Sequence, residues 1–491
     1  MKLEEVLHQI PGLRIEGSSQ LEVTGLTYSS TLVQPGFLFA ALPGKKTDGH
    51  RFIGEALSRG AHAILSERPR PVEIKATWIE AIDPREALAL AAANFYRHPS
   101  LRMKIIGVTG TKGKTTFTYL LEAILRRAGA RPAVIGTINY RWPGQLIPAQ
   151  RTTPEAPDLE RMMAEMVSAG TTHCVLEVSS HALDLKRVWG VHFDVAVFTN
   201  LSPEHLDYHA TMEDYFNSKK KLFFLNRKKR TAVVNLDDAW GKKLILELPL
   251  TTVSFGLEPA AIVRGQNWKF TEKGIKAEIV FPGGLIKVCS PLLGQHNFYN
   301  ILAAAATGLA LNIPPPAIEA GISDLRGVPG RMEKISNNLG FDVFVDYAHT
   351  DTALQSFLQS FRDMKPRRIL LVFGAGGDRD RGKRPKMGEV AARLADWTYL
   401  TSDNPRSEDP LAILSEIEEG FSRLKSRAYT VIPDRREAIQ TALNDAQPGD
   451  VVCIAGKGHE NTQVFKDRTI PFDDAETARS ILRSLERRVD G

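Results

Sequence analysis

One stretch restricts the fold of this chain more than any other. The apolar run Ile105-Ile106-Gly107-Val108 leads into Thr109-Gly110-Thr111-Lys112-Gly113-Lys114-Thr115-Thr116. A strand that enters a glycine-rich turn and leaves through a helix belongs to a parallel α/β sheet, with the turn at its carboxyl edge. Backbone N–H groups in such a turn suit phosphate oxygens, and the pattern predicts that Lys114 would reach the β- and γ-phosphates and Thr115 would ligate Mg²⁺. The strict P-loop pattern is not met, because Val108 stands where its first glycine belongs and the glycines fall at 107, 110 and 113. That departure argues against the common GTPases, as does the lack of an Asn-Lys-x-Asp guanine-reading motif. An ordinary glycine-rich turn is the plainer alternative, and the Gly113-Lys114-Thr115-Thr116 ending opposes it.

A chain of 491 residues holds about three domains of ordinary size. Residues 1–100 read as a small α/β domain with strands at 37–40 and 61–66, and the basic turn Gly44-Lys45-Lys46-Thr47-Asp48-Gly49 between them. Residues 101–330 read as a central, P-loop ATPase-like domain built on a parallel sheet. Its helix over 114–128 stops at Gly129, and Thr153 can N-cap a helix over 155–169 that stops at Gly170. The runs 173–178 and 195–199 have the continuous apolar character of buried parallel strands. Residues 251–290 turn to β-patterning with an antiparallel edge, and a helix at 297–311 ends before Pro314. Residues 331–491 read as a Rossmann-like, doubly wound domain with strands at 342–346, 368–373, 397–401, 428–432 and 450–454.

Charge and cysteine content narrow the function classes. The formal charge of +6 comes from 63 basic and 57 acidic residues scattered along the chain. The short run Arg227-Lys228-Lys229-Arg230 reads as a solvated loop, so anionic small substrates explain the charge better than nucleic acid does. Cys174, Cys289 and Cys453 are far apart in apolar surroundings, which predicts no disulfide framework, no zinc site and a reducing cytoplasm. The start, MKLEEVLHQI, does not read as a secretory signal, and the apolar segment 301–313 is too short to span a bilayer.

Other residues carry chemistry at the ends of the predicted strands. Glu177 ends the strand 173–178, where burying an unpaired carboxylate is costly, so a metal or a buried salt bridge must partner it. His205, after the next strand, is a second candidate for that cation, although Mg²⁺ favours oxygen ligands. Read alone, Lys219-Lys220-Lys221 is a solvated run, and Asp403-Asn404-Pro405-Arg406 is a turn.

Taken together, these segments resemble the Mur ligase family, the ATP-dependent amide-forming enzymes of peptidoglycan synthesis. The likeness rests on Thr109–Thr116, Leu176-Glu177-Val178-Ser179-Ser180-His181, the run Phe198–His209 and Tyr215-Phe216-Asn217-Ser218-Lys219. It continues through Gly294–Asn300, Pro329-Gly330-Arg331-Met332-Glu333 and Asp346-Tyr347-Ala348-His349, in family order across all three domains.

The resemblance implies a set of roles. Gly110 to Thr116 cradle ATP, Asn297 lies beside the adenine, Asp346 meets the ribose and Arg331 approaches the γ-phosphate. Lys219 is carried as a carbamate formed with CO₂. As an anionic oxygen donor it joins Thr115, Glu177 and His205 around two Mg²⁺. The nucleotide-sugar dipeptide UDP-MurNAc-L-Ala-D-Glu meets Ser29, Lys45, Lys46, Thr47, Thr152, Thr153, Ser179 and Arg187. The family's Asp-Ser-Arg pattern around Ser29 is altered here to Tyr28-Ser29-Ser30.

The Asp403-Asn404-Pro405-Arg406 signature implies addition of meso-2,6-diaminopimelate. A guanidinium at 406 can hold the distal carboxylate that lysine lacks. Arg379, Gly456 and Glu460 complete that set, with Glu460 suited to the distal ammonium. The expected reaction forms an acyl phosphate that the amine then attacks, in a cytoplasmic monomer whose domains close over the reactants and which binds neither nucleic acid nor membrane. The competing readings are the same ligase adding L-lysine, a folylpolyglutamate synthase-like ligase, a P-loop switch protein and a catalytically dead scaffold.

Overall fold

The computed structural model describes residues 1–44, 47–206, 208–225, 230–248, 251–271 and 273–489. Three main sheets organise the chain. By contacts it divides into two compact units, one of residues 1–266, 278–286 and 299–322, the other of 267–277, 287–298 and 323–491.

The first sheet orders its strands Leu13–Glu16, Thr77–Ala81, Ala63–Ser66, Phe37–Ala40 and Gly25–Thr27. All neighbours are parallel except the antiparallel Leu13–Glu16 edge. Both expected strands are present, the second beginning two residues later than the sequence suggested. The alanine-rich helix Pro84–Phe95 starts on Asp83, whose carboxylate accepts from the N–H groups of Arg85 and Glu86. Its small buried face, Ala87, Leu88 and Ala91, joins Leu38, Leu65 and Ile79 in this sheet's core.

The second sheet places Lys104–Thr109 between His173–Glu177 and Val195–Phe198, all parallel. Glu177 is in register with Val108, and Phe198 with Thr109. Three carboxyl ends therefore converge on the loop after Thr109, where a parallel sheet gathers its ligands. Pro132–Ile135 continues the parallel run on one side, and Thr231–Asn235 and Thr251–Gly256 on the other. The strands Val263–Thr271, Gly274–Phe281 and Gly284–Ser290 follow, the last two joined by a two-residue turn at 282–283.

Three sequence expectations need correction in this unit and its neighbouring strands. The helix Ala156–Ser168 is capped at Glu155 rather than Thr153, whose hydroxyl instead donates to the Glu177 carbonyl oxygen at 2.8 Å. Arg230 is buried, donating to the Leu222 carbonyl oxygen at 2.8 Å, whereas residues 227–229 lie outside the described residues. Its position immediately before the strand Thr231–Asn235 draws it inward, and desolvation lowers its pKa to about 10. Cys289 is exposed while Cys174 and Cys453 are buried, because alternate residues of Gly284–Ser290 face outward.

The third sheet has the order Glu333–Ile335, Asp342–Asp346, Val451–Ala455, Ile369–Phe373, Trp397–Leu400 and Tyr429–Val431. All five expected strands are there, and the antiparallel edge Glu333–Ile335 was not anticipated. Separate apolar clusters cover its two faces, one with Leu354, Phe357 and Ile417, the other with Ile439, Leu443 and Leu482. Among the described residues, no helix is long and apolar enough to cross a membrane.

Candidate active site

In the first unit the loop after Thr109 is fixed by hydrogen bonds from the strand beside it. Asn200 accepts from Thr111 N through its carbonyl, at 2.9 Å, and from Lys112 N through its side chain, at 3.0 Å. Thr199 Oγ1 donates to the Lys112 carbonyl oxygen at 2.7 Å. A Cβ on Gly113 would collide with the Asn300 side chain, and φ there is +89°, so only glycine fits. Gly113 is also the N-cap of the helix Lys114–Arg127, so the positive end of that helix dipole lies at this loop.

Two lysines meet beneath this loop. Lys114 Nζ donates to the carbonyl oxygens of Gly110 and Thr111 at 2.8 and 2.9 Å. Lys219 Nζ donates to the same Gly110 oxygen at 2.8 Å. Lys219 is 1% exposed, and burial followed by the charge of Lys114 pushes its pKa well below the ordinary lysine value. The ring of Tyr215 lies 4.4 Å from its nitrogen, and the Tyr215 oxygen accepts from Thr111 Oγ1 at 3.4 Å. Lys220 and Lys221 instead pair with Glu247 and Asp184. The expectation of a solvated run is thus corrected at Lys219 alone, which shares the inward face of the helix Met212–Lys220 with Tyr215.

Glu177 is 1% exposed and its carboxylate meets only neutral donors. Thr115 Oγ1 donates to Oε2 at 3.2 Å, Thr137 Oγ1 to the same oxygen at 2.8 Å, and Thr137 N to Oε1 at 3.1 Å. Among the described residues no cationic side chain pairs with it, so the buried salt bridge considered from sequence is not its partner. A buried carboxylate beside a threonine hydroxyl at a glycine-rich strand-to-helix loop is a donor set that suits Mg²⁺. His205 packs edge-on against His181, ring centres 5.0 Å apart, and stands 6.1 Å from the Tyr215 ring, on the Lys219 side of the loop. No group of three or more His, Cys, Asp or Glu side chains gathers as a metal site among the described residues.

The expected substrate contacts continue from Glu177. Thr152 shares a 3.1 Å hydroxyl contact with Thr137. Thr153 accepts from Ser179 N at 3.1 Å, and Ser179 caps the short helix Ser180–Asp184. Arg187 donates to the Thr153 carbonyl oxygen at 3.1 Å and pairs with Glu155 at 2.9 Å. Ser29 lies on the loop after Gly25–Thr27, its hydroxyl 2.9 Å from that of Thr31. Thr47 is described, whereas Lys45 and Lys46 lie outside the described residues. Sequence reasoning missed Thr137, Glu155 and Asn300. Glu155, just before a helical pattern and four residues after Arg151, was the detectable signal.

The second unit carries the remaining candidates. Asp346 ends its strand and accepts from Met332 N at 2.7 Å, which ties the segment holding Arg331 to the sheet edge. The Arg331 guanidinium lies 4.6 Å over the Tyr347 ring. Asn297, in the first turn of the helix Gln295–Ala310, donates to the Leu293 carbonyl oxygen at 2.8 Å.

The segment Asp403–Arg406 is laced to its surroundings. Asn404 donates to Glu460 Oε2 at 2.7 Å and accepts at Oδ1 from Lys457 Nζ, at 3.1 Å, and Val464 N, at 3.0 Å. Lys457 is fully buried and reaches Glu460 at 3.3 Å. Arg406, with φ of +54°, donates to the Gly377 carbonyl oxygen at 2.7 Å. A Cβ on Gly376 would stand 2.9 Å from its Nη1, and one on Gly377 would collide with the Pro405 carbonyl oxygen.

Buried Arg384 locks the two loops, donating to Gly376 O at 3.2 Å and to both oxygens of Glu408 at 2.8 and 2.9 Å. It holds the Glu408 carboxyl down to about 2. Arg379 is exposed on the first loop. Gly456, with φ of +116°, leaves room for the Asp403 carboxylate, whose Oδ2 would lie 2.6 Å from a Cβ there. Lys457 and Arg384 were not anticipated, because the bonds from Lys457 to Asn404 and from Arg384 to Glu408 join segments far apart in sequence.

Three family models match the chain in succession: "Mur ligase family, catalytic domain" over residues 22–96, "Mur ligase middle domain" over 108–308, and "Mur ligase, glutamate ligase domain" over 330–458. A curated protein of Solibacter usitatus named UDP-N-acetylmuramoyl-L-alanyl-D-glutamate--2,6-diaminopimelate ligase is 46% identical over 487 residues, covering 98% of each chain. A solved structure of a protein with that name superposes with a TM-score of 0.71 at 33% identity, covering 99% of each chain. The MurF ligase of Thermotoga maritima, solved in complex with ADP, shares the fold at a TM-score of 0.62 and 22% identity, covering 94% of this chain and 98% of that one.

Proposed function

This chain belongs to the Mur ligase family, and on that premise we propose that it joins meso-2,6-diaminopimelate to the D-Glu γ-carboxylate of UDP-MurNAc-L-Ala-D-Glu at the expense of ATP. The domains run over residues 1–100 for the nucleotide-sugar peptide, 101–330 for ATP and 331–491 for the amino acid. The protein works as a cytoplasmic monomer. The observation that carries the choice of amino acid is Arg406, set over Gly376 and Gly377 with Asn404 and Glu460 bonded beside it.

Ser29, Lys45, Lys46, Thr47, Thr152, Thr153, Ser179 and Arg187 bind the nucleotide dipeptide and aim its carboxylate. Gly110 to Thr116 hold the triphosphate, with Asn297 and Asp346 for the nucleoside. The carboxylate oxygen attacks the γ-phosphorus, ADP leaves, and an acyl phosphate forms. Lys114 and Arg331 offset the negative charge that would otherwise repel the incoming carboxylate. Arg406 and Arg379 hold the distal carboxylate of diaminopimelate and Glu460 its distal ammonium, leaving the other amine to attack the acyl carbon. Phosphate leaves and the amide remains.

Two Mg²⁺ held by Thr115, Glu177, His205 and Lys219 as a carbamate would neutralise phosphate oxygens. The buried Lys219 amine, its pKa lowered by burial and by Lys114, suits addition to CO₂, losing one proton as its N–C bond forms.

The test is phosphate release with the nucleotide dipeptide and each of meso-diaminopimelate, L-lysine and L-ornithine. Diaminopimelate should be preferred by orders of magnitude. A preference for lysine would overturn the specificity and leave the ligase class standing.

A further inference from the structure

The segment Thr27-Tyr28-Ser29-Ser30 departs from the family's Asp-Ser-Arg pattern on both sides of Ser29, and both replacements have partners. Ser30 Oγ donates to Glu55 Oε2 at 2.8 Å. Tyr28 OH donates to Asp158 Oδ2 at 3.0 Å, across 130 positions of sequence. Asp158 is in the first turn of the helix Ala156–Ser168. That helix starts directly after Thr152, Thr153 and Glu155, and Glu155 holds Arg151 at 3.1 Å and Arg187 at 2.9 Å. An aspartate at 28 would set two carboxylates against each other here. A phenol supplies the donor that Asp158 requires, and a hydrogen bond to a charged acceptor is among the stronger kinds. Burial and then Asp158 raise the Tyr28 pKa, so its hydroxyl keeps its proton.

We infer that Tyr28 is a positioning residue for the nucleotide-sugar peptide, tying the loop of Ser29 through Asp158 to the helix start that follows Thr152 and Thr153 and holds Arg187 through Glu155. The bond sets the span between the two groups that grip the ends of one anionic ligand, and neither Tyr28 nor Asp158 needs to touch it. This rests on the function proposed above.

Steady-state kinetics of the wild type, Tyr28→Phe, Asp158→Ala and the double variant, each with its melting temperature, test it. Tyr28→Phe should raise KM for UDP-MurNAc-L-Ala-D-Glu roughly tenfold. Its kcat and its KM values for ATP and diaminopimelate should stay within about twofold of the wild type. Asp158→Ala should do the same, and the double variant should be no worse than either single one. An unchanged KM for the nucleotide dipeptide in folded Tyr28→Phe overturns the inference. So does a rise in all three KM values together with a lower melting temperature, which marks a merely structural bond. A wild type that releases no phosphate with the nucleotide dipeptide would instead sink the functional reading on which the inference rests.

Discussion

Lys114 and Lys219 share one acceptor. Each ammonium nitrogen lies 2.8 Å from the carbonyl oxygen of Gly110, so two like charges stand no more than two hydrogen-bond lengths apart in a buried setting. Burial first, and then the charge of Lys114, disfavour the protonated form of the enclosed Lys219 and push its pKa well below the ordinary lysine value. A lowered amine pKa favours the form that could add to CO₂, as the proposed carbamate requires.

Lys219→Ala is accordingly expected to lower kcat by ~100-fold or more, and Lys219→Arg not to restore it, since a guanidinium forms no carbamate. With ¹³C-labelled bicarbonate, the wild type should show a carbamate carbon resonance that Lys219→Ala lacks. The same resonance in Lys219→Ala would assign it elsewhere.

Glu177→Gln keeps the shape that Thr115 and Thr137 hold and removes the charge. The Mg²⁺ concentration for half-maximal phosphate release should rise ~10-fold or more. Without metal the variant should be at least as stable as the wild type, because it no longer buries an anion among neutral donors. Urea unfolding with and without Mg²⁺ measures both effects.

Arg406→Ala should raise KM for diaminopimelate by ~100-fold, the scale of a lost bidentate ion pair, and leave ATP affinity unchanged. Arg406→Lys should recover little of it, because an ammonium cannot reproduce the planar fork. Gly376→Ala should act in the same direction more weakly by displacing the guanidinium. Kinetics with diaminopimelate and L-lysine side by side separate a lost carboxylate clamp from a damaged domain.

Glu160 links stability to pH. It is 1% exposed on the helix Ala156–Ser168, its Oε2 has no hydrogen-bond partner among the described residues, and burial pushes its pKa up to about 8 from 4.5. The folded protein therefore keeps a proton that the unfolded chain releases. This contribution to stability is fully present below pH 4.5 and is lost as pH rises toward 8. Between those limits the loss should be on the order of a few kcal/mol. Glu160→Gln should flatten that slope in urea titrations between pH 5 and pH 8, and parallel curves for the two proteins would refute the assignment.

The strands at 37–40, 173–178 and 342–346 and the loop at 110–116 were legible in the order of residues. Each is a local matter of apolar runs, glycines and caps that a few consecutive positions specify. Family motifs also singled out the residues proposed here to meet ATP and the amino acid. What the one-dimensional pattern left open was burial and partnership between distant segments. Three adjacent lysines look alike as text, yet helix geometry turns Lys219 toward Tyr215 while Lys220 and Lys221 find Glu247 and Asp184 at the surface. The seemingly solvated Arg230 and the misjudged Cys289 show the same gap. Thr153, a plausible cap, spends its hydroxyl on Glu177 because the neighbouring strand end arrives there. Tyr28 with Asp158, and Lys457 with Asn404, become pairs only when the sheets fold. A hydrogen bond depends on a few ångströms of space, and separation along the chain says nothing about that distance.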